Sequence, residues 1–458
     1  MASLSRRDVL GLATLGGLAL AAGVDAQTGK PRLNRSLKTK PGSAYDRHTE
    51  PLGTVRVAFI GMGARGPSHL ASAMNCESVE IVAICDSHVP SAEKGQAMVT
   101  RAGRPAARLY TQGEKDYVRM LAECKLDAVF ISTPWDWHVP MAVATMEAGC
   151  HALIEVPAAV TIDGCWQLVE VAERTGKHCM MLENVNYGQE ELMVLNMVRR
   201  GLFGDLLHGE AAYIHDLRWQ MKEIEHGTGS WRTLEYAKRN GNLYPTHGLG
   251  PVAHYMGINR GDRMDYLSSV SSPSKMRGLY AKQEFPEGHD RRKLKFVCGD
   301  INTTIVKTLQ GRTIMIQWDE QLPRPYTRHN MIQGTNGVWA GFPARYTGDG
   351  VPNGPEEWME GEDLAKLRQK YDHPLWKKLQ VEAKAHGGHG GMDFIMVWRI
   401  IYCLRNGLPL DQDVYDAASW SCISPLSEWS VANRSQSIDI PDFTRGHFAQ
   451  MRPVNLNN

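Results

Sequence analysis

Gly61-Met62-Gly63-Ala64-Arg65-Gly66 follows the apolar run 55–60 and opens an amphipathic stretch, and Asp86 ends the next apolar run twenty residues after Gly66. In that setting each glycine has its own task. Gly61 permits a tight turn, Gly63 lets the backbone approach a pyrophosphate, and Gly66 lets helix and strand pack closely, while the amides at the helix start face the anion. Asp86 is placed to accept hydrogen bonds from both ribose hydroxyls and would repel a 2′-phosphate, so the motif favours NAD over NADP. A glycine-rich turn that binds another nucleotide, or nothing, would leave the strand, the spacing and the acid unexplained together.

The run Ile131-Ser132-Thr133-Pro134-Trp135-Asp136-Trp137-His138 ends a later strand. Ligands of open α/β sheets sit beyond the carboxyl ends of the strands, so this turn should border the nicotinamide half of the cofactor. Trp135 or Trp137 could stack on a ring there, or either could be buried between domains. Glu155, Val156 and Pro157 end the strand after it, and Leu182-Glu183-Asn184 end the following one.

A second group of reactive side chains comes later. Tyr244-Pro245-Thr246-His247-Gly248 stands where a Gly- and Pro-rich chain bends, and such turns commonly hold side chains at a cleft. His247, with an unperturbed pKa of ~6.5, is the first candidate for proton transfer in both directions, against a structural imidazole capping a turn. Tyr326, held on a stiff loop behind Pro323 and Pro325, could act as base or acid or stack under a ring. Arg232 offers a fork of donors or is a surface arginine, and Tyr213 alternates with apolar neighbours and could equally be core. His386 and His389 invite a metal reading, but no third ligand stands nearby, so no metal is expected. That run is read as a loop and helix N-terminus with Asp393 as a cap.

These residues need a scaffold, and the chain of 458 residues is long enough for two domains. From Thr54 the runs VRVAFIG, VEIVAICD, LDAVFIST, HALIEV and HCMML alternate with helix-like segments, which predicts a doubly wound parallel sheet, an α/β Rossmann domain over 54–186. After it, longer strand-like runs (MDYLSSVSS, INTTIVKTLQ, RTIMIQWDE, HNMIQGTNGVWAG), the middle pair joined through Gln310-Gly311, predict an α+β domain with a large open, mainly antiparallel sheet over 187–440. The helix-like block Met392 to Leu404 should return to the first domain. Residues 27–53 read as a polar, basic arm and 441–458 as a tail. An open sheet has a face to cover, so a homo-oligomer, a dimer or higher, is expected.

Composition narrows the partners. With 51 Lys+Arg against 50 Asp+Glu, the net charge of +1 offers no field to nucleic acid. The nine cysteines are scattered without a CxxC pair and read as buried thiols. Residues 9–22 are apolar but short for a span, and they lie behind Arg6-Arg7 and ahead of Val24-Asp25-Ala26. That pattern predicts a twin-arginine signal over 1–26 and export to the periplasm or beyond, with no stable membrane span after signal removal; an ordinary signal or an uncleaved anchor is the alternative.

GxGxxG, the Ser-Thr-Pro turn, Glu-x-Pro and the Gly201-Leu202-Phe203-Gly204-Asp205 lead into a sheet domain resemble the glucose-fructose oxidoreductase and inositol dehydrogenase superfamily from about residue 54 to 440. Most members carry a lysine between the Glu and the Pro, where it assists deprotonation of a substrate hydroxyl. Here Val156 stands, which can carry no proton. With MGARGPSH, TPWDWH, EVPAAVT, LENVNYG, GSWRT and LYPTHGLGP, this departure is similar to glycoside hydrolase family 109, the NAD-dependent α-N-acetylgalactosaminidases.

The resemblance implies hydrolysis of terminal α-linked N-acetylgalactosamine with retention. NAD⁺ takes hydride from C3, the ketone acidifies C2–H, the leaving group departs, water adds and the hydride returns, so NAD is a tightly bound catalytic cofactor. It implies NAD contacts at Ala64, Arg65, Asp86, the Trp135–His138 turn, Glu155, Val156 and Asn184. Substrate contacts are implied at Tyr213, Arg232, Tyr244, Pro245, Thr246, His247 and Tyr326, with Tyr244, His247 and Tyr326 as the candidate catalytic groups. A sugar dehydrogenase of the same fold, which would accumulate NADH, and a non-catalytic NAD-bound sugar-binding protein are the competing readings.

Overall fold

The computed structural model describes residues 30–351, 354–386 and 388–456, so the signal expected over 1–26 lies outside the described residues. Six strands form the first sheet: β1 (Val55–Ile60), β2 (Val79–Cys85), β3 (Arg108–Tyr110), β4 (Ala128–Ile131), β5 (His151–Ile154) and β6 (Cys179–Met181). They lie in the order β3-β2-β1-β4-β5-β6, every neighbouring pair parallel. Helices cover both faces of such a sheet, which is why β4 and β5 are buried throughout and read as unbroken apolar runs. Of β3 only Tyr110 is buried, so this edge strand left no apolar run in the sequence. The strand order reverses between β1 and β4, and the crevice at that reversal is where a dinucleotide binds.

The second sheet has eight strands: β7 (Leu206–Ile214), β8 (Met264–Ser271), β9 (Asn302–Thr308), β10 (Thr313–Asp319), β11 (Met331–Gly334), β12 (Gly337–Gly341), β13 (Ala344–Gly348) and β14 (Ile438–Asp439). Its order is β13-β12-β11-β7-β10-β9-β8-β14, antiparallel except where β7 and β10 run parallel. β9 and β10 form the expected hairpin. The expected single run from His329 to Gly341 is instead two strands, because Thr335 and Asn336 donate their amides to the Asp205 and Phe203 carbonyls and turn the chain.

One face of this sheet carries the helix Thr246–Met256, packed on β7. A side chain at Gly248 would lie 2.2 Å from the Ala212 nitrogen, so glycine lets this helix settle on the strand and bring His247 beside Tyr213. On the opposite face Tyr266 and Val270 of β8 and Ile305 of β9 are exposed among the described residues.

The helices Met392–Asn406 and Val414–Ser421 return to the first sheet, as expected for the block beginning at Met392. The Ala158 amide donates to Ser421 Oγ at 3.0 Å, tying the loop after β5 to this return. Residues 30–53 run as an arm over the helices Ile162–Thr175, Met392–Asn406 and Val414–Ser421. Trp166 Nε1 donates to the Leu33 carbonyl at 2.8 Å, and the Ala44 amide to Tyr415 Oη at 3.2 Å.

Candidate functional site

The crevice at the β1/β4 reversal opens into a cleft of about 230 Å³ lined by both domains. Gly61 has a φ of +88°, and a side chain there would meet the Ser132 carbonyl oxygen at 2.4 Å. At Gly66 a side chain would strike the Gly61 oxygen at 1.9 Å, so these two glycines are demanded by the turn and by helix packing. Gly63 differs: a side chain there would meet nothing within 4 Å and would stand in open space that a pyrophosphate needs. Asp86 Oδ2 accepts from the Met62 amide at 2.6 Å and Oδ1 from the His88 amide at 2.8 Å, which fixes the carboxylate at the cleft wall. This arrangement fits NAD. The rings of His88 and His226 stack 4.1 Å apart where the two domains meet, a closure no local motif announced.

Arg65 lines the cleft and ties three segments together. Its Nε donates to Glu155 Oε1 at 3.0 Å, and its Nη1 and Nη2 donate to Asp393 at 3.1 and 3.2 Å. His69 Nε2 lies 2.6 Å from the same Glu155 oxygen. Burial opposes charge on Glu155, but Arg65 and His69 outweigh it and hold the carboxyl far below the usual range. Asp393 is likewise buried, and His389 and Arg65 hold its carboxyl far down. The expected cap at Asp393 is therefore corrected. It makes no cap bond to its helix; instead it takes Arg65, Ser68 Oγ at 3.0 Å and Asn184 Nδ2 at 2.6 Å, because a buried acid this close to a guanidinium is worth more as its counter-ion.

The Trp135–His138 turn is split. Trp135 is buried between the domains, edge-on to Trp231 with ring centres 5.0 Å apart, whereas Trp137 remains half-buried on the cleft wall. His138 borders the cleft, but its Nδ1 and Nε2 lie 2.8 Å from the Pro157 and Thr133 carbonyl oxygens, so the ring braces two loops. Burial lowers its pKa. Asp136 is exposed in the first helical turn and is not among the lining residues, a position that favours the helix N-terminus rather than a ligand. Asn184 stands behind Asp393, off the cleft wall. Glu155 and Val156 both line the cleft.

At the far end an aromatic cluster begins with Tyr244. Its ring lies 5.0 Å from Tyr213 and 5.1 Å from His247, and Tyr213 lies 6.2 Å from Tyr326. Burial raises the Tyr213 and Tyr244 phenols well above their ordinary value. Arg232 is buried, which removes the surface reading: its guanidinium sits 4.9 Å from the Tyr244 ring and 5.1 Å from Trp135 and pairs with Glu320 at 3.4 Å. Tyr326 is 40% exposed and accepts from Arg328 Nη1 at 2.8 Å. Pro245 and Thr246 are buried at the start of the helix that carries His247. Thr246 presents no accessible side-chain surface.

Two groups here went unassigned from sequence. Glu183, fully buried just after β6, accepts from or shares a proton with His247 Nδ1 at 2.7 Å, and its Oε2 is buried with no partner among the described residues. His215 Nδ1 lies 2.9 Å from Tyr213 Oη, and burial lowers the His215 pKa. The spacing of His215 two residues after Tyr213, on one face of an extended segment, was a signal available in the sequence. Nothing local joins Glu183 to a histidine 64 residues away.

The chain matches two family models: the NAD-binding Rossmann fold of the oxidoreductase family over residues 55–183, and the C-terminal domain of glycosyl hydrolase 109 over 187–450. A glycosyl hydrolase family 109 protein of a Shewanella species is 59% identical over 407 residues, 88% of each chain. An α-N-acetylgalactosaminidase of Shewanella oneidensis is 58% identical over 404 residues, again 88% of each. Among solved structures, a levoglucosan dehydrogenase in complex with NADH shares the fold at a TM-score of 0.62 with 16% identity, over 85% of this chain and all of that one. With a nucleotide cleft at the strand ends of the first sheet, an aromatic cluster in the second domain and these matches across both, the chain belongs to glycoside hydrolase family 109 and is an NAD-using glycoside hydrolase.

Proposed function

We propose that this enzyme removes terminal α-linked N-acetylgalactosamine from glycans, with His247 as the group that moves the decisive proton. The observation that carries the reading is the Glu183–His247 pair at 2.7 Å. A buried carboxylate on Nδ1 fixes the tautomer and orientation of the ring and leaves Nε2 to exchange a proton, the logic of an oriented base. Gly61, Gly63 and Asp86 hold NAD, which when bound supplies a reversible oxidation at the sugar C3 hydroxyl and so makes the C2 proton removable by a side chain.

The remaining groups divide the work by their surroundings. Buried Tyr213 and Tyr244, with phenols raised by desolvation, stay protonated near neutrality and serve as donors or as ring contacts, not as bases. Tyr326 takes a hydrogen bond from Arg328, which leaves its own O–H free for the departing glycosidic oxygen. Arg232, caged by Trp135 and Tyr244, presents donors to the acetamide or a hydroxyl. Val156 supplies no proton carrier at the cleft wall, which favours a redox-neutral cycle over a dehydrogenase.

The test uses purified protein with no NAD added and a chromogenic α-N-acetylgalactosaminide. Many turnovers of phenol release without accumulating NADH are expected; NADH rising with each turnover would instead make the enzyme a dehydrogenase. Export by the twin-arginine route to the periplasm or beyond belongs to the same reading, since a cofactor held through every cycle is best loaded before a folded protein crosses a membrane. Replacing Arg6 and Arg7 by lysine should leave the protein in the cytoplasm. Exposed Tyr266, Val270 and Ile305 on the open sheet face support a homo-oligomer, to be read as a mass above one chain in light scattering.

A further inference from the structure

A second cavity, of about 290 Å³, lies between arm residues 44–48, residues 177–179 at the start of β6, the loop 408–414 and the tail 452–455. One residue separates it from the site above: Gln412 lines the cavity and donates through Nε2 to the Glu183 carbonyl oxygen at 3.1 Å.

The charges around the cavity do not cancel. Asp411 is taken by Arg399, at 2.7 and 2.9 Å, and by the Tyr187 hydroxyl. Asp413 faces Arg260, which also holds Asp416. Asp46 and Arg452 are both exposed at the rim. That leaves Arg47 and Lys177, neither of which forms an ion pair among the described residues. Arg47 gives Nη2 to the Ser43 carbonyl, while its Nε is buried without a partner. Between them stands His178, 7% exposed, with a buried Nε2 that also lacks a partner. The buried Nε of Arg260 is likewise without a partner among the described residues. Burial, with nearby His151, Arg47 and Lys177, drives the His178 pKa well down. Glu173, the acid that acts on Arg47, is already taken by Arg445 and the Tyr415 hydroxyl, and Lys177 has no ion pair among the described residues, so an anion in the cavity would give both cations a counter-charge.

We propose that this cavity is a binding site for a small oxyanion, the phosphate or carboxylate group of a metabolite, held by Arg47, Lys177 and His178. The cofactor cleft shares no lining residue with it.

The experiment uses the full chain saturated with NAD, so that the pyrophosphate site is filled, and follows thermal unfolding and calorimetric binding with inorganic phosphate or acetate at ionic strength fixed by chloride. A saturable rise in Tm with phosphate or with acetate is expected, and which of the two acts identifies the oxyanion. Lys177→Gln and Arg47→Gln should each weaken that binding about tenfold, the scale of one charge-assisted hydrogen bond, with hydrolysis unchanged. Lys177 is half-exposed, so its variant folds even if the arm shifts around Arg47→Gln. No response beyond chloride to either anion, or a response equal in the variants and the wild type, overturns the site.

Discussion

β5 and β6 lie side by side and each delivers a buried glutamate to the same cleft region, yet the two are treated in opposite ways. Glu155 is surrounded by donors: Arg65, His69 and the Val156 amide all reach it. Glu183 has His247 and the Val185 amide on one oxygen and, among the described residues, nothing on the other. A carboxylate with both oxygens engaged, one of them by a guanidinium, is locked in one charge state and acts as a brace. One left half-satisfied beside an imidazole keeps its influence on a proton. On the proposed reading, adjacent strands of one sheet thus lead into a structural acid and a working acid, and the difference lies in what the other segments bring to them.

The comparison breaks most sharply at His247. His247→Ala should lower kcat on the chromogenic substrate by about 10³, within the range for loss of a general acid–base group, while bound NAD released on denaturation stays near the wild-type amount. Loss of NAD in step with activity would mean that His247 serves the cofactor cleft. Next comes Glu183→Gln, which keeps the shape but offers an amide to Nδ1. A fall in kcat of about 10²-fold is expected, together with a displaced pH–rate profile, because the imidazolium loses its counter-charge and the tautomer its anchor. An unchanged profile would reduce Glu183 to a strut like its neighbour.

Glu155→Gln tests the other half and should be felt in stability. With its folded pKa held far below the usual carboxylate range, Glu155 contributes stability that is present above its unfolded pKa of about 4.3 and is lost as pH falls toward the folded value. The variant should lose about 2–3 kcal/mol at neutral pH, since Arg65 keeps Asp393 as a partner, and its stability should fall less steeply below pH 5 than that of the wild type. Urea unfolding at several pH values reads both effects. An acid limb as steep as the wild type's would place the charge-linked stability elsewhere.

What could be read from the sequence follows how local each device is. GxGxxG, its strand and Asp86 sit within one βαβ unit, so spacing alone carries their meaning, and the parallel and mainly antiparallel sheets followed from runs and turns. Arg65 and Asp393 meet across 328 residues, and Glu183 and His247 across 64, so neither pair leaves a periodic trace. The same reason explains Asp393: by local rules an acid beside a helix start is a cap, and only the return of its helix to the first sheet supplies the guanidinium that claims it. Arg232 could not be told from a surface arginine because its cage is built from Trp135 and Tyr244, on either side of the domain junction.

The smallest effect belongs to Asp86, a third acid at a strand end and the most open of the three. Both of its oxygens already accept backbone amides, from Met62 and His88, so its position is fixed by the turn and does not depend on a cofactor. Each oxygen has a further lone pair for a ribose hydroxyl, and the full charge repels a 2′-phosphate. Asp86→Asn keeps the shape and removes the charge, so it should weaken NAD by about tenfold and narrow the preference over NADP by a similar factor, the scale of one charge-assisted hydrogen bond. Competition between the two dinucleotides on cofactor-stripped protein measures it. If the preference survives, the discrimination resides in the shape of the cleft around His88 and His226; if it falls, the sheet carries three acids at three strand ends, of which one grips a guanidinium, one a proton and one a sugar hydroxyl.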